Sequence, residues 1–151
     1  MKLQISSRLA IFAVLELLAH PDRQLPVGEI GAKYGVSNHH LAKVMNVLGR
    51  AGLVRSARGV GGGYQFCGNP RRTTLLDLIE LFEQLGPGER EEGQLGEGTD
   101  EARALHRVLR EIDDVARATL GSITIATLYK YLERHAAGAP HSAARAAAQE
   151  P

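Results

Sequence analysis

A cluster of polar side chains occupies the start of one predicted helix. Its members are Asn38, His39, His40 and Lys43, and they follow Ser37, a residue type that commonly caps helices. Asn pairs bidentately with adenine, while Lys and His reach guanine acceptors or phosphates. The same segment has apolar residues at three- and four-residue spacing: Leu41, Val44, Met45 and Leu48. The pattern predicts a recognition helix over Ser37–Ala51 that enters the major groove of DNA by its N-terminal end.

A glycine-rich loop with one arginine, Ala57–Gly63, lies between two short β-type segments, Leu53–Ser56 and Tyr64–Cys67, and the predicted wing is Arg58–Tyr64. A slim backbone carrying a guanidinium suits the negative potential of a narrow minor groove. A phosphate-binding loop is disfavoured, because no Gly-Lys-Ser/Thr follows and the segment leads into a strand. We therefore expect a β-hairpin wing, with DNA contacts from Ser37, Asn38, His39, His40, Lys43, Arg50, Arg58, Gly61, Gly62 and Tyr64.

The two halves of the chain carry opposite charge. Residues 1–72 hold ten Lys and Arg against three Asp and Glu, a net charge of +7. Residues 73–151 hold eight against fourteen, a net charge of −6, so the whole chain is +1. A basic half suits a polyanion, since cations placed on phosphates release condensed counterions. The acidic half is expected to face away from that partner.

The remaining elements form a scaffold around these residues. Helical periodicity runs from about Ser6 to His20, and a short helix over Val27–Tyr34 is expected to bury Ile30 and Ala32 before a turn at Gly35. Thr73 or Thr74 caps a fourth helix. A long helix capped by Asp100 reaches about Leu120 with an apolar stripe, Gly121 and Ser122 break it, and a last helix covers Thr124–Arg134.

These elements predict a mainly α fold, a winged helix-turn-helix with a small β-hairpin wing and a long helix. We divide the chain into a DNA-binding domain (1–85), a flexible loop with almost no apolar content (86–100), two helices (101–136) and a disordered tail (137–151).

Composition excludes several classes of protein. The one cysteine, Cys67, excludes an intrachain disulfide and a cysteine-cluster zinc site. His39 and His40 are adjacent and point about 100° apart on a helix, so no metal site is predicted. No signal peptide or membrane span is visible, which predicts a cytoplasmic protein without a membrane partner. The sequence has no HExxH, GxSxG or paired Cys/His arrangement, and we predict no enzymatic activity.

The stretches Val36–Val44, Leu48–Val54 and Arg58–Tyr64 together resemble the Rrf-type winged-helix regulators, a family that includes the iron–sulfur cluster regulator and the nitric oxide-sensing repressor. The resemblance is close over Met1–Phe82 and extends in outline to the long helix. It implies a homodimeric regulator, a repressor by expectation, that binds palindromic promoter DNA. The implied dimer crosses through the long helix, at Leu105, Val108, Leu109, Ile112 and Val115, and the family's DNA contacts map onto Asn38, His39, His40, Lys43 and Arg58.

The sequence departs from the family pattern where many relatives bind an iron–sulfur cluster through three cysteines. The corresponding stretch, Gly86–Ala102, contains none, and where some relatives add an acidic N-terminal ligand this chain has Arg8. Such clusters are held mainly by thiolates, so we expect no cofactor of this type. Three alternatives stay open: a thiol modification at Cys67 as the trigger, a small ligand bound between the two halves, or a winged-helix module that binds another protein. For Cys67 the simpler interpretation is a half-buried strand residue.

Overall fold

The computed structural model describes residues 2–86 and 95–138. Within them the elements follow the predicted order, which confirms a mainly helical winged helix-turn-helix fold. They are α1 (Ile5–Ala19), α2 (Val27–Tyr34), α3 (Asn38–Arg50), β1 (Val54–Ala57), β2 (Gly63–Phe66), α4 (Leu75–Glu80), α5 (Asp100–Ser122) and α6 (Ile125–Gly138). Residues 87–94 of the predicted flexible loop and 139–151 of the predicted tail lie outside the described residues.

Helix α1 lies at the centre of the core because its apolar residues recur around most of its circumference. Leu9, Ala13, Val14 and Leu17 are all nearly inaccessible to solvent, and α1 contacts α3, α4 and β2. The inner face of α3 meets α1 through Leu41, Val44, Met45 and Leu48. The core is therefore aliphatic, and it holds the polar side of α3 outward.

The end of α5 and the start of α6 join the same core. Leu120 and Ile125 are buried in it. Backbone hydrogen bonds fasten this junction to the start of α4 and the segment before it, from Leu75 N to Ile123 O (2.9 Å) and from Ile125 N to Thr73 O (2.9 Å). The long helix is thus anchored to the helical core at its C-terminal end.

Several predicted boundaries were wrong, and both strands lie one residue away from their predicted bounds. Thr99, and not Asp100, caps α5, because its hydroxyl accepts from the N–H of Ala102 at 3.2 Å while Asp100 is already helical. Gly121 and Ser122 continue α5, and the break falls at Ile123 and Thr124. Ala137 and Gly138, assigned from the sequence to the tail, belong to α6. In α2, Ala32 is exposed and Gly31 takes the buried position beside Ile30.

Candidate nucleic-acid interface

Helix α3 is built to present its N-terminal end. The Ser37 hydroxyl accepts a hydrogen bond from the N–H of His40 at 3.2 Å, as its residue type predicts. The turn before it is closed by Gly35, which adopts the left-handed conformation at φ 65°. Opposite the buried face of α3, the side chains of Ser37, Asn38, His39, Lys43, Asn46 and Arg50 are exposed. This is the polar surface that a recognition helix needs.

The Asn38 side chain lies against α2. A Cβ built on Gly31 would come 2.9 Å from Asn38 Oδ1 and 3.0 Å from the carbonyl oxygen of Val36, and one built on Gly28 would come 3.7 Å from Asn38 Nδ2. The two glycines therefore leave the space in which the amide rests. Sequence reasoning missed this role of Gly31, whose only signal was a glycine inside a short helix.

The His40 imidazole is turned toward α1. Its Nε2 lies 3.3 Å from the Ser6 hydroxyl, and both residues are half-buried. Among the predicted major-groove residues, this leaves the side chains of His39 and Lys43 exposed and without a hydrogen-bond partner among the described residues. The side chains of His39 and Lys43 therefore project from α3 into solvent, while those of Asn38 and His40 contact α2 and α1.

The wing is a two-stranded antiparallel hairpin in which Val54 pairs with Phe66 and Ala57 with Gly63. Its loop turns on Gly59 and Gly61, at φ 97° and 75°, conformations that favour glycine. A side chain at Gly62 would collide with the carbonyl oxygen of Ala57 at 2.5 Å. Arg58 is exposed on this narrow loop, and Val60 stands fully exposed at its tip.

Two contacts fix the wing to the rest of the domain. Leu25 forms an isolated antiparallel bridge with Tyr64 of β2. The Leu25 N–H donates to the Tyr64 carbonyl oxygen (2.9 Å), and the Tyr64 N–H donates to the Leu25 carbonyl oxygen (2.8 Å). At the base, Gln65 donates to the Pro21 carbonyl at 2.6 Å and accepts from Arg55 at 2.8 Å. Tyr64 is half-buried, and the two hydrogen bonds of its backbone to Leu25 position the wing.

The basic side chains divide into paired and unpaired groups. Arg23 donates to Glu29 at 3.0 Å, and this hydrogen bond lowers the pKa of the Glu29 carboxyl; Lys33 is bonded to Glu16, which raises the pKa of the Lys33 amine. No salt bridge to Lys43, Arg50 or Arg58 occurs within residues 2–86 and 95–138, and all three are exposed. Three unpaired cations thus lie on the helix and loop predicted to meet DNA.

Cys67 follows β2 and is exposed, contrary to the half-buried strand position expected for it. Strand pairing ends one residue earlier, at Phe66. The thiol donates to the carbonyl oxygen of Gly52 at 3.4 Å, which places it beside the turn that leaves α3.

Comparison with known proteins identifies the family to which this architecture belongs. Residues 3–131 match the Rrf2 family, described as iron-dependent transcriptional regulators. The chain belongs to the Rrf2 family. This Rrf2 protein is 50% identical over 133 residues to BadM, an HTH-type transcriptional regulator of Rhodopseudomonas palustris, covering 88% of the chain and 84% of BadM.

More distant relatives are also regulators. IscR of Xenorhabdus nematophila, an HTH-type transcriptional regulator, is 28% identical over 134 residues, covering 88% of the chain and 82% of IscR. The solved structure of CymR, the global cysteine regulator of B. subtilis, superposes with a TM-score of 0.71 at 27% identity and covers 87% of the chain and 98% of CymR. The chain is therefore a DNA-binding transcription regulator, and the prediction that it is not an enzyme is confirmed by the family.

The residues of this chain do not fit the iron chemistry in the family description. An iron–sulfur cluster is held mainly by cysteine thiolates, and the sequence has one cysteine, which lies at the base of the wing. Within the described part of the chain, His, Cys, Asp and Glu nowhere gather in a group of three that could hold a metal ion. In the same ranges no helix has the length and apolar content needed to span a bilayer.

Proposed function

We propose that the chain is a homodimeric repressor of palindromic promoter DNA that works without an iron–sulfur cluster. The proposal rests on the joint placement of α3 and the wing, two neighbouring elements on which Lys43, Arg50 and Arg58 are exposed and have no ion-pair partner among the described residues. In this arrangement α3 enters the major groove through His39 and Lys43, and Arg58 grips the adjacent minor groove. Ser37, Asn38, His40, Arg50, Gly61, Gly62 and Tyr64 complete or position the contact surface.

The dimer is supported by an apolar stripe along α5. Leu105, Val108, Leu109, Ile112 and Val115 expose between 46% and 68% of their surface. They recur at three- and four-residue spacing, so they share one face of the helix. A stripe of this length is costly in water, and a second copy of α5 would bury it. Two recognition units would then meet a two-fold symmetric site.

The segment before residue 87 is tied to both α1 and α5. Glu83 accepts hydrogen bonds from the N–H of Gln4 (3.1 Å) and from the buried Ser7 hydroxyl. Arg117 of α5 donates to the Leu85 carbonyl at 2.8 Å. These bonds support the hypothesis that a signal acting at residues 86–100 changes the placement of the two DNA-reading units. An effector of this kind would act on half-site spacing, to which a symmetric dimer is sensitive.

Selection of duplexes from a random library by the full chain tests this function. We expect an enriched inverted repeat, bound by two protomers as measured by sedimentation, with affinity that falls steeply with salt because several phosphates are contacted. A winged-helix module that binds another protein would enrich no sequence. Binding of one protomer per duplex would refute the dimer.

A further inference from the structure

One apolar side chain, that of Val60, stands alone at the tip of the wing. Val60 is fully exposed, whereas the next most exposed large apolar side chain of residues 2–86, that of Ile5, exposes 65% of its surface. The other residues of Gly59–Gly63 are all glycines, so Val60 supplies the one side chain of this segment. The outermost surface of the wing therefore consists of an isopropyl group on bare backbone.

The tip is a hydrogen-bonded β-turn. The N–H of Gly62 donates to the carbonyl oxygen of Gly59 at 3.0 Å. Gly61 has a φ of 75°, and no non-glycine residue among those described has a positive φ, which is the pattern of a type II turn with Val60 in its second position. A Cβ on Gly62 would come 2.5 Å from the carbonyl oxygen of Ala57, so the loop backbone is packed on itself behind the turn. The turn thus presents the Val60 side chain outward from a defined backbone.

The local structure does not require valine at this position. Turns favour Gly, Pro, Asn, Asp and Ser, whereas β-branched residues are typical of strands, where they pack against neighbours. Val60 has no such neighbours in the loop, and its apolar surface stays in water unless a partner covers it. A partner that contacts the tip therefore explains the valine better than the turn does.

The neighbours of Val60 favour DNA as that partner. Arg58, two residues earlier, is exposed and has no ion-pair partner among the described residues. A protein partner would need a contiguous apolar patch, which the flanking glycines do not offer. The minor groove is about 6 Å wide and is walled by deoxyribose rings, whose C–H groups are apolar. A slim loop with one cation and one apolar group fits such a groove.

An isopropyl group in the minor groove distinguishes base pairs. An A·T pair presents only acceptors there, whereas a G·C pair adds the exocyclic amino group of guanine. A valine side chain over that amino group would cover a hydrogen-bond donor without accepting from it, which is unfavourable. We propose that Val60 makes the wing selective for A·T pairs by excluding the guanine amino group from the floor of the minor groove. This selectivity rests on the proposed DNA-binding function.

Two base analogues change this amino group and leave the major-groove edge of the pair unaltered. Diaminopurine in place of adenine adds the amino group, and hypoxanthine in place of guanine removes it. Each is placed, one position at a time, in the inverted repeat that the full chain selects, and affinity is measured by fluorescence anisotropy. At one position of each half-site, we expect diaminopurine to weaken binding at least about fivefold relative to adenine. At the same position, a hypoxanthine·C pair should bind at least about fivefold more tightly than G·C.

Val60→Ala and Val60→Ile are the matched variants. Because Val60 is fully exposed, neither substitution should alter the fold, which circular dichroism checks. Val60→Ala removes the two γ-methyl groups and should reduce both differences to less than about twofold. Val60→Ile keeps the branched apolar group and should retain them.

Equal binding of adenine and diaminopurine duplexes at every position by the wild-type chain overturns the proposal. A difference that persists in Val60→Ala also overturns it, because the amino group would then be sensed through Arg58 and the width of the groove. Loss of the difference in Val60→Ile does the same. If the repeat is bound but the amino group has no effect, the selectivity fails and the proposed function stands. If no repeat is selected, the proposed function fails and the selectivity fails with it.

Discussion

Gly63 is the position at which a single methyl group should do the most damage to the wing. A Cβ there would lie 2.5 Å from both the carbonyl carbon and the carbonyl oxygen of Leu25, and 2.8 Å from Pro26 N. All three are backbone atoms, so no side chain can rotate away to make room. To relieve the collision, β2 must separate from Leu25.

The size of the effect follows from what that separation breaks. Two backbone hydrogen bonds join Leu25 to Tyr64, and each contributes about 1 kcal/mol net. Leu25 is fully buried, so its displacement also strains the core by about 1–3 kcal/mol. Gly63→Ala should therefore destabilise the fold by about 3–5 kcal/mol and, by freeing the wing, weaken DNA binding.

Gly61→Ala is the matched control for stability. Gly61 lies in the same loop at φ 75°, but a Cβ there meets nothing within 4 Å. It should cost about 1–2 kcal/mol, the penalty for a left-handed alanine. The assay is urea unfolding followed by circular dichroism at equal protomer concentration, because dimer stability depends on concentration. If Gly63→Ala proved no less stable than Gly61→Ala, the role assigned to the bridge between Leu25 and Tyr64 would be wrong.

Four further predictions test the dimer, the helix, the thiol and an ion pair. Leu109→Asp places a charge in the α5 stripe and should give monomers by sedimentation at micromolar concentration. A dimer that persisted would show that the interface lies elsewhere. Lys43→Ala should weaken DNA binding and reduce the salt slope by about one, if Lys43 contacts a phosphate; an unchanged slope would remove that contact. Cys67→Ser should leave DNA affinity within twofold but abolish any loss of affinity caused by thiol alkylation, and a loss that persisted would have another origin. The hydrogen bond from Arg23 lowers the Glu29 pKa below its ordinary 4.5, so the pair stabilises the fold above that pH and is lost as pH falls through the lowered pKa. Glu29→Gln should therefore flatten the acid limb of a melting-temperature profile slightly, and an identical profile would show that the pair contributes nothing.

Local chemistry made much of the fold predictable from the sequence. Helix α2 has the predicted bounds, because Gly35 can take the left-handed conformation that ends it. The apolar spacing in α3 identified its buried face, and Ser37 identified its start. Both features depend on residues within two turns of one another, and such signals are visible in a single sequence.

Contacts between distant segments were not predictable. The Ser6–His40 contact spans 34 residues, and Leu25 reaches the wing from the connection between α1 and α2. No periodicity or turn residue marks either of them. The predicted cap of α5 was wrong for a different reason. Thr99 and Asp100 are adjacent and both are good caps, so only the backbone geometry selects Thr99.

The exposure of Cys67 shows the same limit at a strand end. Alternation along β2 gives it a strand position, but pairing stops at Phe66 and the residue turns outward. In the hairpin register Leu53 stands opposite Cys67, but its carbonyl oxygen accepts from the N–H groups of both Cys67 (2.9 Å) and Gly68 (3.2 Å), so the regular ladder ends there.

Binding of the selected inverted repeat by the wild-type chain and by Arg58→Ala tests the central claim most directly. Arg58 is exposed on the wing without an ion-pair partner among the described residues, so its replacement removes the proposed DNA contact and no internal ion pair. We predict at least tenfold weaker binding, about 1.4 kcal/mol, by a variant that remains dimeric, with Arg110→Ala unchanged as the control. Equal affinity of wild type and Arg58→Ala would contradict the assignment of the wing to DNA.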